Sequence, residues 1–336
     1  MDRDTTKSIN QFLFRFGLAV FTAGVLSVTV LIVLAFAQDT ERKKFTSPEA
    51  AFSALLDATK NNDTKELMAI FGPGGKDIIS SGDAIADKEA RERFVKSAGD
   101  AAKFSKVDNS KVLVVIGKDG WSFPVPLVKS SRGWAFFTED GKEEIINRRI
   151  GRNELRAIQV ALAYVDGQIE YASKDRNGDG VLQYAGKFVS SPGKKDGLYW
   201  EAVPGQEASP LGPLIARATE EGYPIRKKDE KASPYQGYYF HILKSQGGNA
   251  PGGDVDYVKN GKMVAGFGLV AYPAEYGVSG IMTFIVSQQG IVYEKDLGPK
   301  TDEIAMAIKK YDPDKTWKQE EWTPDALAKA VENEQQ

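Results

Sequence analysis

The sequence predicts an α+β protein in which a helical region comes before an antiparallel sheet twice along the chain. Apolar residues recur at helical spacing between 47 and 104, and runs of strand-like composition follow from 111 to 138. A longer helical pattern covers 142–173, and four runs rich in β-branched and aromatic residues follow between 233 and 298. A length of 336 residues suits two domains, which we place at 45–150 and 151–300.

The N-terminal residues predict export. Three basic residues precede an uncharged stretch at 16–37, which ends in the small-x-small site Ala35-Phe36-Ala37. We therefore predict a signal peptide at 1–37, cleaved after Ala37. The stretch also reaches the length of a membrane span, so an uncleaved N-terminal anchor is the alternative. In either case the remaining chain is expected in the periplasm, either free or anchored in the inner membrane.

Composition excludes some classes of protein. The formal net charge is −2, and a nearly neutral chain is a poor candidate for binding nucleic acid or anionic lipid. The chain has no cysteine, which excludes a lipoprotein anchor and disulfides, so packing alone is expected to stabilise the domains. It has one histidine and no recognised catalytic motif. We therefore expect a non-catalytic protein.

The first domain opens with a well-marked helix start. Ser47 is a favourable N-cap and Pro48 a favourable first helical residue, and polar residues at 61–63 end the pattern. Further helices are predicted at 64–71 and, with a more polar composition, at about 87–104. Strands are predicted at 111–116, 121–128 and 134–138. This order resembles the nuclear-transport-factor-2-like (NTF2-like) layout, in which a curved antiparallel sheet wraps helices.

The second domain begins inside the long helical pattern, where Gly151 predicts a helix boundary or a kink. Arg148, Arg149 and Arg152 lie beside several glutamates in this pattern. Opposite charges at these spacings favour a solvated face or an ion network at the domain junction over an active site.

The long helix is expected to pack on a small antiparallel sheet with strands at 235–243, 264–272, 281–287 and 290–294. Turn signals and a short helix at 214–221 are predicted between the helix and the sheet. The C-terminal segment 301–336 is expected to hold a helix at 301–310 and a flexible tail from about 323.

A possible cation site follows the long helix. Asp175, Asn177 and Asp179 stand at positions 1, 3 and 5 of a calcium-loop pattern, with Gly180 at position 6. The twelfth position is Gly186 and not the glutamate that closes such a loop. The alternatives are therefore a Ca²⁺ site, the one cofactor that the sequence suggests, and a plain turn.

Tyrosines are concentrated in the predicted second sheet. A sheet of this size cannot bury all of them on one face, so part of the group is expected to form an exposed patch. The candidates for contact with a glycan or a protein are Tyr238, Tyr239, Tyr272 and Tyr276.

Acidic residues of the same region supply a catalytic alternative. A pair formed among Asp254, Asp256, Glu275 and Asp296 is the minimum that hydrolysis of a glycosidic bond requires. His241 alternates with apolar neighbours and is interpreted as an outward-facing polar residue on a half-buried strand, without an identifiable catalytic partner.

Motifs spread along the chain identify a family resemblance; they are Asn147-Arg148-Arg149-Ile150-Gly151-Arg152-Asn153-Glu154, Asp196-Gly197-Leu198-Tyr199-Trp200, Gly237-Tyr238-Tyr239-Phe240, Ala271-Tyr272-Pro273-Ala274-Glu275-Tyr276 and Tyr293-Glu294-Lys295-Asp296-Leu297-Gly298. Through them, roughly 45–317 resembles the bacterial exported family catalogued as domain of unknown function 2950. The resemblance implies export. It implies no particular activity and identifies no functional residues.

The second half has a further resemblance, in architecture. A long helix, a variable loop region and a sheet that begins at Gly237-Tyr238-Tyr239-Phe240 are similar to the globular part of type IV pilins and pseudopilins. Pilins carry their assembly helix at the start of that domain, whereas a whole domain precedes it here. A pilin-like module is therefore expected, and not a filament subunit.

Together these observations predict an exported, periplasmic binding or envelope-assembly protein without catalysis. The expected partner is an envelope protein or a glycan. The alternative is a carboxylate-dependent cell-wall or glycan hydrolase.

Overall fold

The computed structural model describes residues 42–320 except 101, 119, 177, 203–204 and 225–232, together with 327, 329 and 330. The predicted signal peptide at 1–37 and most of the predicted tail from 323 lie outside these residues. Leu327 corrects the expectation of a tail that is flexible throughout, because its side chain is buried in the main hydrophobic core. No described helix is long and apolar enough to cross a bilayer.

The described residues have the predicted α+β class. The helices are α1 Pro48–Lys60, α2 Thr64–Phe71, α3 Lys76–Ile79, α4 Ala84–Asp100, α5 Lys142–Ala172, α6 Gly212–Glu220 and α7 Thr301–Ala307. The strands are β1 Ala102–Lys106, β2 Lys111–Ile116, β3 Trp121–Ser122, β4 Leu127–Ser130, β5 Gly133–Phe136, β6 Tyr238–Leu243, β7 Ser245–Gln246, β8 Val255–Asp256, β9 Val258–Lys259, β10 Lys262–Met263, β11 Gly268–Pro273, β12 Met282–Ser287, β13 Val292–Asp296 and β14 Lys318–Gln319.

The first sheet is antiparallel and covers one side of the N-terminal helices. Its order is β1-β2-β4-β5, with β3 paired to β2. Alternate residues of β2 are buried, so Val112, Val114 and Ile116 face a core that includes Phe52 and Leu55 of α1. The predicted N-cap is confirmed, because the Ser47 hydroxyl accepts a hydrogen bond of 3.1 Å from the Ala50 N–H.

Two predictions for this region need correction. The helix predicted at about 87–104 is α4, and it ends at Asp100, before its predicted end. The next residues form β1 and pair with β2. The predicted strand at 121–128 is divided into β3 and β4. Pro124 and Pro126 lie between the two pieces and have no N–H for a strand ladder.

The second sheet is also antiparallel, in the order β14-β13-β12-β11-β6. Helix α5 covers one face of it, where Ile158, Tyr164 and Val165 pack in a core with Leu269 and Phe284. The residues that point to the other face form a smaller cluster with the segment after α7, including Val270, Ile285 and Tyr311. Every residue of β11 is therefore buried.

Helix α5 crosses the predicted domain boundary without interruption. Gly151 lies inside the helix, so the expected helix boundary there is wrong. A Cβ built on Gly151 would meet no atom within 4 Å, which means that this glycine does not serve a close approach. Packing against the second sheet and against α3 holds the helix together and overrides the low helix propensity of one glycine.

Polar contacts also join α5 to the segment that leads into β12. The Asn153 side chain donates a hydrogen bond of 2.9 Å to the carbonyl of Ser279. The Glu154 carboxylate accepts hydrogen bonds from the N–H groups of Ile281 and Met282, at 2.9 and 3.0 Å, just before and at the start of β12. Gly237, with φ +81°, leaves room for Asn153, since a Cβ there would lie 2.4 Å from its amide nitrogen.

Candidate ligand cavity

The structure places the four candidate tyrosines in different environments. Tyr238 faces the core with no exposed surface, and its hydroxyl donates a hydrogen bond of 2.9 Å to the Met282 carbonyl. Tyr272 is only 9% exposed, and its ring lies 5.5 Å from that of half-buried Tyr239. Tyr276 is half-buried and donates to Asp296 at 3.2 Å. The expected patch therefore loses Tyr238 and nearly all of Tyr272, because these two side chains are buried.

The four candidate acids do not form one site. Asp254 and Asp256 line the same open groove, of about 560 Å³, together with His241. Asp254 forms an ion pair of 2.8 Å with Lys310, and Asp256 accepts a hydrogen bond from the N–H of Val258. Each carboxylate of this pair thus has its own local partner.

The other two acids lie elsewhere. Asp296 ends β13 and accepts a hydrogen bond of 2.7 Å from the N–H of Gly298. Glu275 follows β11 and lies beside Gly82, in the N-terminal half. The groove that holds Asp254 and Asp256 is lined by neither of them.

His241 is half-buried and has a partner. Its Nε2 lies 3.1 Å from the carbonyl of Ile308, so the neutral ring carries its hydrogen on Nε2 and donates it there. Burial lowers the pKa of His241, the hydrogen bond to Ile308 raises it, and the charge of Lys309 lowers it, with a net decrease.

The calcium-like loop is built as a turn in the described residues. The Asp175 carboxylate accepts hydrogen bonds from the N–H groups of Gly178, Asp179 and Gly180. Asp179 forms an ion pair of 2.9 Å with Lys262. Asn177, the third predicted ligand, lies outside the described residues. Across the part of the chain that is described, no three His, Cys, Asp or Glu residues are arranged to hold a metal.

A cavity of about 650 Å³ lies in the N-terminal half, between the helices and the first sheet. Its walls are mainly apolar and come from α1, α2, the end of α3, α4, β2, the residues around β3, and α5. The apolar lining consists of Leu55, Leu67, Phe71, Ile78, Ile79, Ala90, Phe94, Ile116, Trp121, Phe123 and Ile145. Aromatic rings continue along one wall, with Phe94 at 5.4 Å and Trp121 at 5.9 Å from Phe123.

Most of the charged residues that line this cavity are positive. In the described part of the chain the charged lining consists of one acid and five bases, namely Asp87, Arg91, Arg93, Arg148, Arg149 and Arg152. All six residues belong to α4 or α5. Positive charge is therefore concentrated where these two helices border the cavity.

Two of the arginines are paired with acids of their own helix. Arg93 lies 3.6 Å from Glu89, and Arg148 lies 2.6 Å from Glu144. Arg148 also stacks over the Trp121 ring at 5.6 Å. These pairs agree with the predicted ion network for Arg148 and reduce the charge that both residues offer to the cavity.

Arg149 is held differently, by backbone carbonyls and not by the glutamates of its own helix. Its Nη1 and Nη2 donate to the carbonyls of Asp77 and Ile78, at 2.6 and 2.5 Å. Burial lowers the pKa of Arg149, while the charges of Asp87, Asp77 and Glu275 raise it. An arginine in such surroundings remains protonated.

Arg91 has the same type of partner. Its Nε donates to the side-chain oxygen of Asn62 at 2.7 Å, and its Nη1 donates to the carbonyl of Ile79 at 3.2 Å. The one acid of the lining, Asp87, is fixed by hydrogen bonds of 3.1 and 3.0 Å from the Ser81 N–H. Sequence reasoning did not select Arg91 or Asp87, because their partners come from other elements.

Comparison with known proteins identifies the family of the chain. The chain gives no significant match to any curated protein or to any solved structure. The profile described as "Protein of unknown function (DUF2950)" matches residues 42–320, which is well over half of the 336 residues and includes every element that lines the cavity. The chain therefore belongs to the DUF2950 family.

Proposed function

We propose that this protein is an exported, non-catalytic binding protein whose ligand occupies the cavity between the N-terminal helices and the first sheet. One observation carries the proposal, namely a cavity of about 650 Å³ in which an apolar wall faces a group of charged side chains on α4 and α5. Small-molecule sites have this character and volumes of about 300–1,000 Å³.

The location and the finer fold are part of the proposal. A signal peptide or an anchor at 1–37 would place the cavity in the periplasm. The NTF2-like layout is supported by helices enclosed by an antiparallel sheet, and the pilin-like layout by a long helix on a second antiparallel sheet. An envelope protein or a glycan is the proposed macromolecular partner, with Tyr239 and Tyr276 as the remaining contact candidates.

The chemistry of the lining supports binding over catalysis. Proton transfer needs a group that gains and loses a proton near the working pH, and an arginine guanidinium does not. Among the described residues Asp87 is the single carboxylate of the lining, and the Ser81 N–H already occupies both of its oxygens. A pair of carboxylates, as glycoside hydrolysis requires, is not among the lining residues.

A neutral apolar dye tests the proposal. Residues 38–336 are titrated with N-phenyl-1-naphthylamine, whose fluorescence rises in an apolar site. We expect saturable binding of one dye per chain, and Ala90→Trp, which adds bulk to the lining of the cavity, should abolish it. Ala307→Trp adds the same bulk at an exposed position on α7 and should leave binding unchanged. Absence of binding, or equal binding by both variants, would contradict the proposal.

A further inference from the structure

We infer that the ligand of this cavity is an amphipathic anion, a molecule with one carboxylate or phosphate group bound by Arg91 and Arg149 and an alkyl or aryl body packed along the apolar walls. The inference rests on the proposed binding function and adds the chemical class of the ligand.

The first supporting observation is that one short segment positions both guanidinium groups. Arg149 donates to the carbonyls of Asp77 and Ile78, and Arg91 donates to the carbonyl of the next residue, Ile79. These carbonyls belong to the C-terminal end of α3, where helix carbonyls lack intrahelical partners. Acceptors on consecutive residues bring together two arginines that come from different helices, α4 and α5.

The second observation is that both groups keep donors and charge for a ligand. A guanidinium has five N–H donors, and the contacts above use two from Arg91 and two from Arg149. In the described part of the chain their hydrogen-bond acceptors are neutral oxygens, a side-chain amide and three carbonyls. Asp87, Asp77 and Glu275 attract Arg149 electrostatically without forming an ion pair with it. An anion would therefore find free donors in a fixed arrangement.

The third observation concerns the remaining volume, which is apolar. Leu55 and Ile116 have almost no solvent exposure and still line the cavity, and Phe94 and Phe123 extend the apolar wall. A positive group beside an apolar wall is poorly solvated, and an anion would add to the compensation that Asp87, Asp77 and Glu275 already give Arg149. Carboxylate and phosphate oxygens match the geometry of a guanidinium, and an attached apolar body matches the walls.

Ligands with the same chain and different heads test this inference. Residues 38–336 are titrated by calorimetry with decanoate, decyl phosphate, decan-1-ol and decyltrimethylammonium, each below its micelle or solubility limit. A hydrogen bond to a charged group adds about 1.5–3 kcal/mol, so at least one anion should bind about tenfold to a hundredfold more tightly than the alcohol. The cation should bind more weakly than the alcohol.

Variants assign the preference to the two arginines. Arg91→Gln should bring the affinity for the anion to within about threefold of that for decan-1-ol, and the affinity for decan-1-ol should not change. Arg149→Lys keeps the charge and removes the planar donor group, so it should weaken the binding of the anions alone. Because the charge is kept, this result would not come from the loss of a buried charge. Arg217→Gln removes an equal charge from exposed α6 and should change neither affinity.

The outcomes separate this inference from the proposed function. If decan-1-ol and the neutral dye bind but no anion is preferred, the inference is wrong and the binding function stands. If the cation is preferred, the inference is also wrong. If neither the dye nor any decyl compound binds, the binding function itself fails.

Discussion

The carboxylate of Asp83 accepts a hydrogen bond of 2.9 Å from the hydroxyl of Tyr223, and so joins the two halves of the protein. The same oxygen accepts the N–H of Gly237 at 2.9 Å. Its other oxygen accepts the N–H groups of Ile85 and Ala86, at the start of α4. One buried side chain therefore caps the helix that carries Arg91 and also fixes that helix to the second half.

Substitutions at this contact should reduce stability by different amounts. Tyr223→Phe loses two buried hydrogen bonds, because the hydroxyl also accepts the Gln236 N–H at 3.2 Å, and should lower the free energy of unfolding by about 1–2 kcal/mol. Asp83→Ala also removes the cap of α4 and leaves buried donors unsatisfied, so a loss of about 2–4 kcal/mol is expected. Urea unfolding measures both. Tyr239→Phe, on half-buried Tyr239 of β6, is the control and should change little; equal losses in all three variants would contradict the described role of Asp83.

The continuity of α5 predicts a stabilising substitution. Gly151 is inside the helix, and a Cβ there meets no atom within 4 Å. Gly151→Ala should therefore raise the free energy of unfolding by about 0.5–1 kcal/mol, because alanine has the higher helix propensity. A thermal or urea unfolding curve measures the change. A kink at this position would give the opposite sign.

The burial of His241 predicts that the stability of the protein depends on pH. The titration of this residue can be observed directly, because the chain has one histidine. Burial lowers its pKa, so the folded protein favours the neutral ring. As the pH falls below the ordinary value of about 6.5, the unfolded chain takes up a proton before the folded protein does. Stability from this group is therefore complete above about pH 6.5 and is lost as the pH falls through the window between the ordinary and the lowered pKa.

The ring resonances of His241 in an NMR titration should give a midpoint below that of the chain unfolded in urea. His241→Gln should flatten the corresponding part of the stability curve between neutral and mildly acidic pH. A folded midpoint equal to or above the unfolded one would show that burial does not control this group.

The loop at Asp175 predicts stability that does not depend on calcium. Its carboxylate accepts N–H groups of the loop, so Asp175→Ala should cost about 0.5–1 kcal/mol in unfolding experiments with calcium and with a chelator alike. Melting temperatures of the unsubstituted protein should be the same in both buffers. A rise in melting temperature with calcium, abolished by Asp175→Ala, would instead assign a cation site to this loop.

Local sequence signals predicted much of the fold. Strand β2 has the predicted bounds, and α5 ends within one residue of its predicted end, because apolar periodicity and turn residues act over short distances. Burial of Tyr238 was not predictable in the same way. Alternation shows that neighbouring residues face opposite sides of a strand, but α5 and the segment after α7 decide that both sides are covered.

The candidate site depends on tertiary contacts. Arg149 was visible in the sequence beside glutamates, and its actual partners are carbonyls of Asp77 and Ile78. Arg91 reaches the carbonyl of Ile79 from another helix. Nothing in the spacing along the chain connects these residues, because α3, α4 and α5 meet only in the folded protein.

The measurement that tests the central claim most directly is photo-crosslinking of residues 38–336 with a decanoate analogue that carries a diazirine on its alkyl chain. Peptide mass spectrometry then locates the adducts. The account predicts adducts on cavity residues such as Phe94, Ile116 and Phe123, which an excess of decanoate suppresses and Ala90→Trp removes. Adducts confined to residues outside the cavity, or unaffected by Ala90→Trp, would contradict it.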